Sequence, residues 1–202
     1  QIYDSIILLS DVHFGVHVNS IEWNDNILNY FNEFFIPYVK EYKKTHTPIL
    51  IIAGDFFEDR TSLDIGIMNH GINVIDELSK ILPVHFIVGN HDIYKKNDCD
   101  INSLVVHKYM NNVTIHEKPT VLSIRDYKIE LVPWIGDFKK ESSHVMNSES
   151  DVLIMHTEIK GFSYDRGQTI INGTEVGSFK GKMIFSGHIH KRQELKNVTY
   201  IG

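Results

Sequence analysis

A layered α/β domain is predicted by three features of this 202-residue sequence. Short, almost wholly apolar runs have the length of strands. Longer stretches with helical spacing lie between them. Each apolar run gives way to Asp, Asn or His. The runs are Ile6 to Leu9, Ile49 to Ala53, Val84 to Val88, Val152 to Met155 and Met183 to Phe185. They are built from β-branched or large apolar residues, as expected of strands buried on both faces. Their alternation with helical segments is the pattern of a layered α/β architecture.

Between the first two strands, Ile27, Leu28, Phe31, Phe34, Phe35, Tyr38, Val39 and Tyr42 recur at intervals of three and four. This is an amphipathic helix, expected to kink or break at Pro37. A second helix is expected from about Ser62 to Lys80, with Ile67, Gly71, Val74, Ile75 and Leu78 on one face. Leu122 to Ile124 and Lys128 to Val132, joined through Arg125-Asp126-Tyr127, read as a hairpin. Gln193 to Lys196 and Val198 to Ile201 read as another, turning at Asn197. No internal repeat, low-complexity stretch or long linker divides residues 1–202, so one domain is expected, ending while still in a strand.

Composition narrows the class. The apolar share of 42% and charged share of 23% are those of an ordinary globular protein. No apolar run approaches the roughly 18 residues of a membrane span. A single cysteine, Cys99, excludes an internal disulfide or a multi-thiolate zinc site, and suits a reducing cytoplasm. The net charge of -6 argues against wrapping nucleic acid by charge alone. It is compatible with phosphoester chemistry, because bound cations reverse a local field. Twelve histidines are many for this length.

The informative pattern lies at the strand ends. The five runs lead into Asp11-Val-His13, Gly54-Asp55, Gly89-Asn-His-Asp92, His156 and Gly187-His-Ile-His190. Ligands of open α/β sheets bind outside the carboxyl ends of the strands, so these side chains should converge. Carboxylate, imidazole and amide oxygen together suit Mn²⁺, Fe²⁺ or Zn²⁺ in a non-thiolate site. Seven ligands exceed the needs of one ion, whereas two ions sharing a carboxylate use them all. Such pairs, about 4 Å apart, clamp a phosphoryl group and activate a water. Glycines before Asp55, Asn90 and His188 are expected to turn the chain sharply and leave room for phosphate near the backbone.

Each motif alone is weak, since Asp-x-His is common and a lone buried histidine is more often a packing residue. Five motifs, each at a strand end, are a specific signal. The other histidines (His17, His46, His70, His85, His107, His116 and His144) lie off the expected strand ends and read as surface or packing residues.

The order Asp-x-His, Gly-Asp, Gly-Asn-His-Asp, His, Gly-His-x-His resembles the calcineurin-like metallophosphoesterase superfamily from Asp11 to His190. That resemblance implies a four-layer α/β/β/α sandwich with its metal site at the carboxyl ends of the strands. By position, Asp11, His13 and His190 would hold one divalent cation and Asn90, His156 and His188 a second. Asp55 would bridge them, and Mn²⁺ is the expected metal. His91 matches the histidine beside the leaving group, serving as general acid or transition-state stabiliser, with Asp92 orienting it.

Asp11-Val-His-Phe-Gly15 is similar to the opening of SbcD-type DNA repair nucleases. Gly54-Asp-Phe-Phe-Glu-Asp-Arg60, Val132-Pro-Trp134, His156-Thr-Glu-Ile-Lys-Gly-Phe162 and Asn197-Val-Thr-Tyr-Ile-Gly202 are similar to recombination endonuclease subunits of T-even-like phages. Glu58 departs from the pattern, because relatives mostly carry Asp or His there. It is read as an acid supporting the ligands. The branch implies Mn²⁺-dependent hydrolysis of DNA, exonucleolytic from 3′ ends and endonucleolytic on single strands. It further implies a homodimer bound to an SbcC-type ATPase, in the host cytoplasm if phage-encoded, with a cap and partner-binding segment beyond residue 202. The nearest approach to a P-loop, Gly177-Ser-Phe-Lys-Gly-Lys182, is a residue short and lacks the final Ser or Thr, consistent with the ATPase lying elsewhere. Lys191-Arg192 are the candidates for a DNA backbone. Two other readings stay open: a small-substrate phosphatase or cyclic-nucleotide phosphodiesterase on the same core, and a catalytically silent scaffold.

Overall fold

The structure, a computed structural model, describes residues 2–202. The first sheet is wholly parallel, in the order β1 (Ser5–Leu9), β2 (Pro48–Ala53), β3 (Val84–Ile87) and β6 (Val113–His116). Between β3 and β6 the chain makes a two-stranded ribbon of β4 (Ile93–Lys95) and β5 (Asp98–Asn102). The remaining strands are β7 (Thr120–Ile124), β8 (Tyr127–Val132), β9 (Val152–His156), β10 (Met183–Gly187), β11 (Gln193–Leu195) and β12 (Val198–Tyr200). They form a mixed second sheet in the order β11-β12-β10-β9-β8-β7. Its two hairpins, β7-β8 and β11-β12, are antiparallel as the sequence predicts.

The sheets pack face to face because β2 carries apolar residues on both sides. Its Ile49, Ile51 and Ala53, with Ile87 of β3, meet Ile124, Ile129, Leu131 and Ile154 of the second sheet. The alternate residues Leu50 and Ile52 turn the other way, into the layer formed by helices Ile21–Asn29, Ile36–Tyr42 and Ile65–Ile81. On the far side of the second sheet, Val145 of helix Phe138–Asn147 and Phe179 pack on Leu153, Met155 and Ile184. Helix, sheet, sheet and helix therefore stack in four layers, and the core is the three apolar interfaces between them.

Three local departures have physical reasons. The chain stays helical through Pro37, which occupies the first turn of Ile36–Tyr42. The irregularity comes earlier, as a π-helical stretch at Tyr30–Phe35 in which Ile36 N–H reaches Phe31 O. Widening the helix there accommodates a proline that cannot donate and whose ring crowds the preceding turn. The second helix starts at Ile65, because the Asp64 side chain accepts from Gly66 N (2.8 Å) and Ile67 N (3.3 Å). Helix Phe138–Asn147 and strands β4, β5 and β6 have no counterpart in the sequence reading.

Candidate metal centre and active site

The carboxyl ends of β1, β2, β3, β9 and β10 meet at one rim, and the backbone there is unusual. Asp11, His13 and Asp55 all have φ 53° and His188 has φ 87°. Four non-glycine residues in the left-handed region each carry about 1–3 kcal/mol of local strain, a pattern that clusters at functional sites. Neighbouring loops stabilise it. Asp11 N donates to Gly54 O and His13 N to Asp55 O, both at 3.1 Å. The Asp11 carboxylate receives His188 N at 3.0 and 3.1 Å, and Asp55 Oδ1 receives His91 N at 2.7 Å.

The glycines make room for the protein's own strand ends. A Cβ on Gly54 (φ 90°) would lie 2.2 Å from His156 Nδ1, and one on Gly89 would lie 2.3 Å from Asp55 Oδ1. Glycine is required because two loops and a buried imidazole share the space.

Two groups of donors result. In the first, His13 Nε2 faces His190 Nε2 at 3.1 Å, and Asp11 Oδ1 lies 3.8 Å from each nitrogen. In the second, Asn90 Oδ1 lies 2.9 Å from His156 Nε2 and 2.7 Å from His188 Nδ1. Asp55 Oδ2 stands between the groups, 3.1 Å from His156 Nε2 and 3.9 Å from His13 Nε2. The seven sequence-derived candidates therefore converge. The donor chemistry fits divalent cations. Two ring nitrogens on one ion at about 2.1 Å each would be roughly 3.0–3.4 Å apart, close to the separation between His13 and His190.

The histidines are fixed from behind. His156 Nδ1 donates to Ala53 O at 2.8 Å, which aims Nε2 at Asn90 and Asp55. His13 Nδ1 pairs with Glu58 Oε2, so Glu58 is the supporting acid the sequence reading anticipates. Glu158 and Asp165, beside His188 and His190, were not foreseen; no spacing rule links them to their partners.

Asp92 requires a correction. It does not orient the His91 ring. Its buried carboxylate accepts from the backbone N–H groups of Asp55 (2.9 Å), Phe56 (3.1 Å), Phe57 (3.2 Å) and Gly89 (2.9 Å). It is the clamp that joins the loops after β2 and β3. His91 is oriented by Glu58, whose carbonyl accepts from Nδ1 at 2.7 Å and whose carboxylate lies 3.9 Å away. The carbonyl fixes Nδ1 as the donor.

Charge follows from burial and proximity. Burial alone would raise Asp55, but His156, His91 and His13 hold it well below the carboxylate range. Burial alone would lower His156, but Asp55 and Asp11 push it up to about 9. His13 is raised in the same way: burial opposes the shift, and Asp11, Asp55 and Glu58 outweigh it. Ionised carboxylates thus dominate the cluster, a field that favours a cation. The centre opens into a 400 Å³ cleft lined by Asp55, His91, His188 and His190, with Tyr164 and Arg166 on its wall.

The remaining histidines stay out of the centre. His116 is a partial correction, since it ends the unforeseen strand β6. It nevertheless turns away from the rim, and its Nε2 lies 2.9 Å from His85 Nδ1. His107 is buried against Phe57 and Phe86, and burial lowers it to about 4. Arg192 is paired with Glu194.

The chain is 30% identical over 203 residues to exonuclease subunit 1 of Enterobacteria phage T4, covering 98% of this chain and 58% of the phage protein. It is 28% identical to 244L, a provisionally named phosphoesterase of Invertebrate iridescent virus 6, over 98% of this chain and 68% of that protein. It is 27% identical to 078R, similarly named, of Invertebrate iridescent virus 3, over 98% and 56%. The chain thus spans little more than half the length of the first and third of these relatives. The model of the calcineurin-like phosphoesterase family matches residues 5–192, which include every strand-end motif, and the chain belongs to that family of metal-dependent hydrolases.

Proposed function

We propose that this chain is the phosphoesterase core of a two-cation nuclease that hydrolyses DNA phosphodiesters in recombination and double-strand-break repair. The observation that carries the reading is the position of Asp55 Oδ2 between two separate donor groups. Similarity to a phage exonuclease subunit supports nucleic acid as the substrate. Asp11, His13 and His190 would hold one cation, Asn90, His156 and His188 the other, and Asp55 both. Mn²⁺ is the metal proposed, with Fe²⁺ or Zn²⁺ as alternatives. When bound, such a pair supplies Lewis acidity and an activated water.

The chain's own residues do the rest. The cleft positions a phosphodiester against the rim, and Arg166 on its wall offers a cation to a flanking phosphate. His91, with Nδ1–H held by Glu58 O, acts through Nε2. As an imidazolium it would carry an Nε2 proton to donate to the leaving oxygen. Digestion would be 3′ to 5′ on ends and endonucleolytic on single strands, in the host cytoplasm if the gene is phage-borne. A homodimer associated with an SbcC-type ATPase is the assembly proposed. An exposed aromatic row on one helical stretch, Tyr30, Phe34 and Tyr38, supports an interface between copies.

The test is digestion of labelled single- and double-stranded DNA with Mn²⁺, alongside bis-p-nitrophenyl phosphate. DNA cleavage should fall by at least about 100-fold in His91→Ala, the lower end of the range for a lost proton donor, with both cations retained. Small-ester turnover with intact DNA would favour a small-substrate phosphodiesterase instead. Metal loss in His91→Ala would contradict the role given to His91.

A further inference from the structure

The segment from Thr157 to Thr174 leaves β9 at the rim and returns before β10, and its tip is a tight hairpin. Ser163 and Thr169 bridge across it, Tyr164 N donates to Gln168 O at 2.9 Å, and Gly167 N donates to Tyr164 O at 2.8 Å. Its base is pinned. Phe162 and Ile170 are buried in the core, and the Gln193 side chain bonds both backbone groups of Ser163, at 2.7 and 3.0 Å. The segment is therefore a fixed wall of the cleft, and it sets two carboxylates, Glu158 near its start and Asp165 at the hairpin tip, beside two candidate ligands.

Asp165 Oδ2 lies 3.4 Å from His190 Nδ1, while His190 Nε2 faces Asp11 and His13. Glu158 Oε1 lies 3.4 Å from His188 Nε2, while His188 Nδ1 faces Asn90. Tyr164 O–H, from the same hairpin, donates to Glu158 Oε1 at 2.8 Å and fixes that carboxylate. His188 and His190, two residues apart, thus present opposite nitrogens to their donor groups. An imidazole offers a lone pair only from the nitrogen that carries no proton, so each ring needs an acceptor on its other side. His190 has the greater need, since its side chain is half exposed and little packing fixes the ring.

We propose that the 157–174 segment is a metal-positioning element in which Asp165 selects the Nε2-binding tautomer of His190, and Glu158, braced by Tyr164, selects the Nδ1-binding tautomer of His188. Asp165 and Glu158 are positioning residues, each serving one cation. This rests on the two-cation reading and deepens it, because it makes the two affinities separately adjustable from one segment.

The experiment is Mn²⁺ titration of the whole chain, following free Mn²⁺ by electron paramagnetic resonance and resolving two dissociation constants. Asp165→Asn should weaken one constant about 10-fold, the lower range for losing a partner behind a ligand histidine, and Asp165→Glu should restore most of it. Glu158→Gln should weaken the other constant by a similar factor. Should Glu158→Gln not fold, Tyr164→Phe, which removes one hydroxyl, should weaken the same constant about 3-fold. Two Mn²⁺ bound with both constants unchanged in the variants would overturn this inference and leave the two-cation reading standing. The inference also fails if both variants weaken the same constant. Fewer than two Mn²⁺ on the unaltered chain would overturn the two-cation reading, and this inference with it.

Discussion

Asp92 shows how far a residue's neighbours in sequence can mislead about its neighbours in space. It follows His91 directly, and in the family pattern it invites the role of that histidine's partner. In the structure the turn sends the two side chains apart, His91 toward Glu58 O and Asp92 inward to four backbone N–H groups. Truncating Asp92 would leave those donors buried without acceptors, each costing about 1–3 kcal/mol before relaxation or water entry. Asp92→Ala should accordingly lose at least about 3 kcal/mol of unfolding free energy in urea. An Asp92→Ala chain of near-normal stability whose only defect is proton donation by His91 would return Asp92 to its expected role. The residue types of the centre were legible in the sequence because chemistry at a strand end is a local property. The acids behind the ligands were not. Glu58 is 45 residues from His13, and Asp165 and Glu158 reach their histidines through a segment whose shape is a tertiary fact.

At the scale of elements, the rim works because strand ends approach closely enough to exclude side chains. Gly54 makes room for the His156 ring, and Gly89 for Asp55. Gly54→Ala combines a left-handed φ with a clash against a buried imidazole. It should destabilise the chain by at least about 2 kcal/mol, read from thermal or urea unfolding, and should displace His156 from the second donor group. A variant with unchanged stability and metal binding would show that the loop has slack the structure does not suggest. Five strands were legible because each contains a continuous apolar run, whether buried along its whole length like β2 or half-buried like the edge strand β1. Strand β6 was not, because Val-Thr-Ile-His is short and mixed and gains its place by pairing with β3. Helix Phe138–Asn147 was missed for a related reason. It exposes most of its length, and what it buries includes a carboxylate, Glu141, which breaks the apolar stripe.

Over the whole molecule, stability and site are linked through that glutamate. Glu141 is buried beneath the second sheet, accepts from the Thr157 and Thr174 hydroxyls, and so joins the helix to both ends of the 157–174 segment. Burial pushes it up to about 7, against an ordinary 4.5. The folded chain therefore binds more protons than the unfolded chain between those values. Stability should fall as pH rises from about 4.5 to 7, by up to about 3 kcal/mol from this group, and level off above. Glu141→Gln, which keeps an acceptor for the hydroxyls, should remove that part of the slope in unfolding measured at pH 5 and pH 8. An unchanged slope would show that Glu141 ionises normally.

The face-to-face packing of the two sheets is what makes a single centre from motifs scattered over Asp11 to His190. It brings the ends of β1, β2 and β3 against those of β9 and β10, and sets Asp55 between the two donor groups. The most direct measurement is anomalous X-ray scattering from crystals of the chain soaked in Mn²⁺. Two peaks about 4 Å apart are predicted, one among Asp11, His13 and His190, the other among Asn90, His156 and His188, with Asp55 in contact with both. A single peak, or a pair that leaves Asp55 bound to only one ion, would contradict the account.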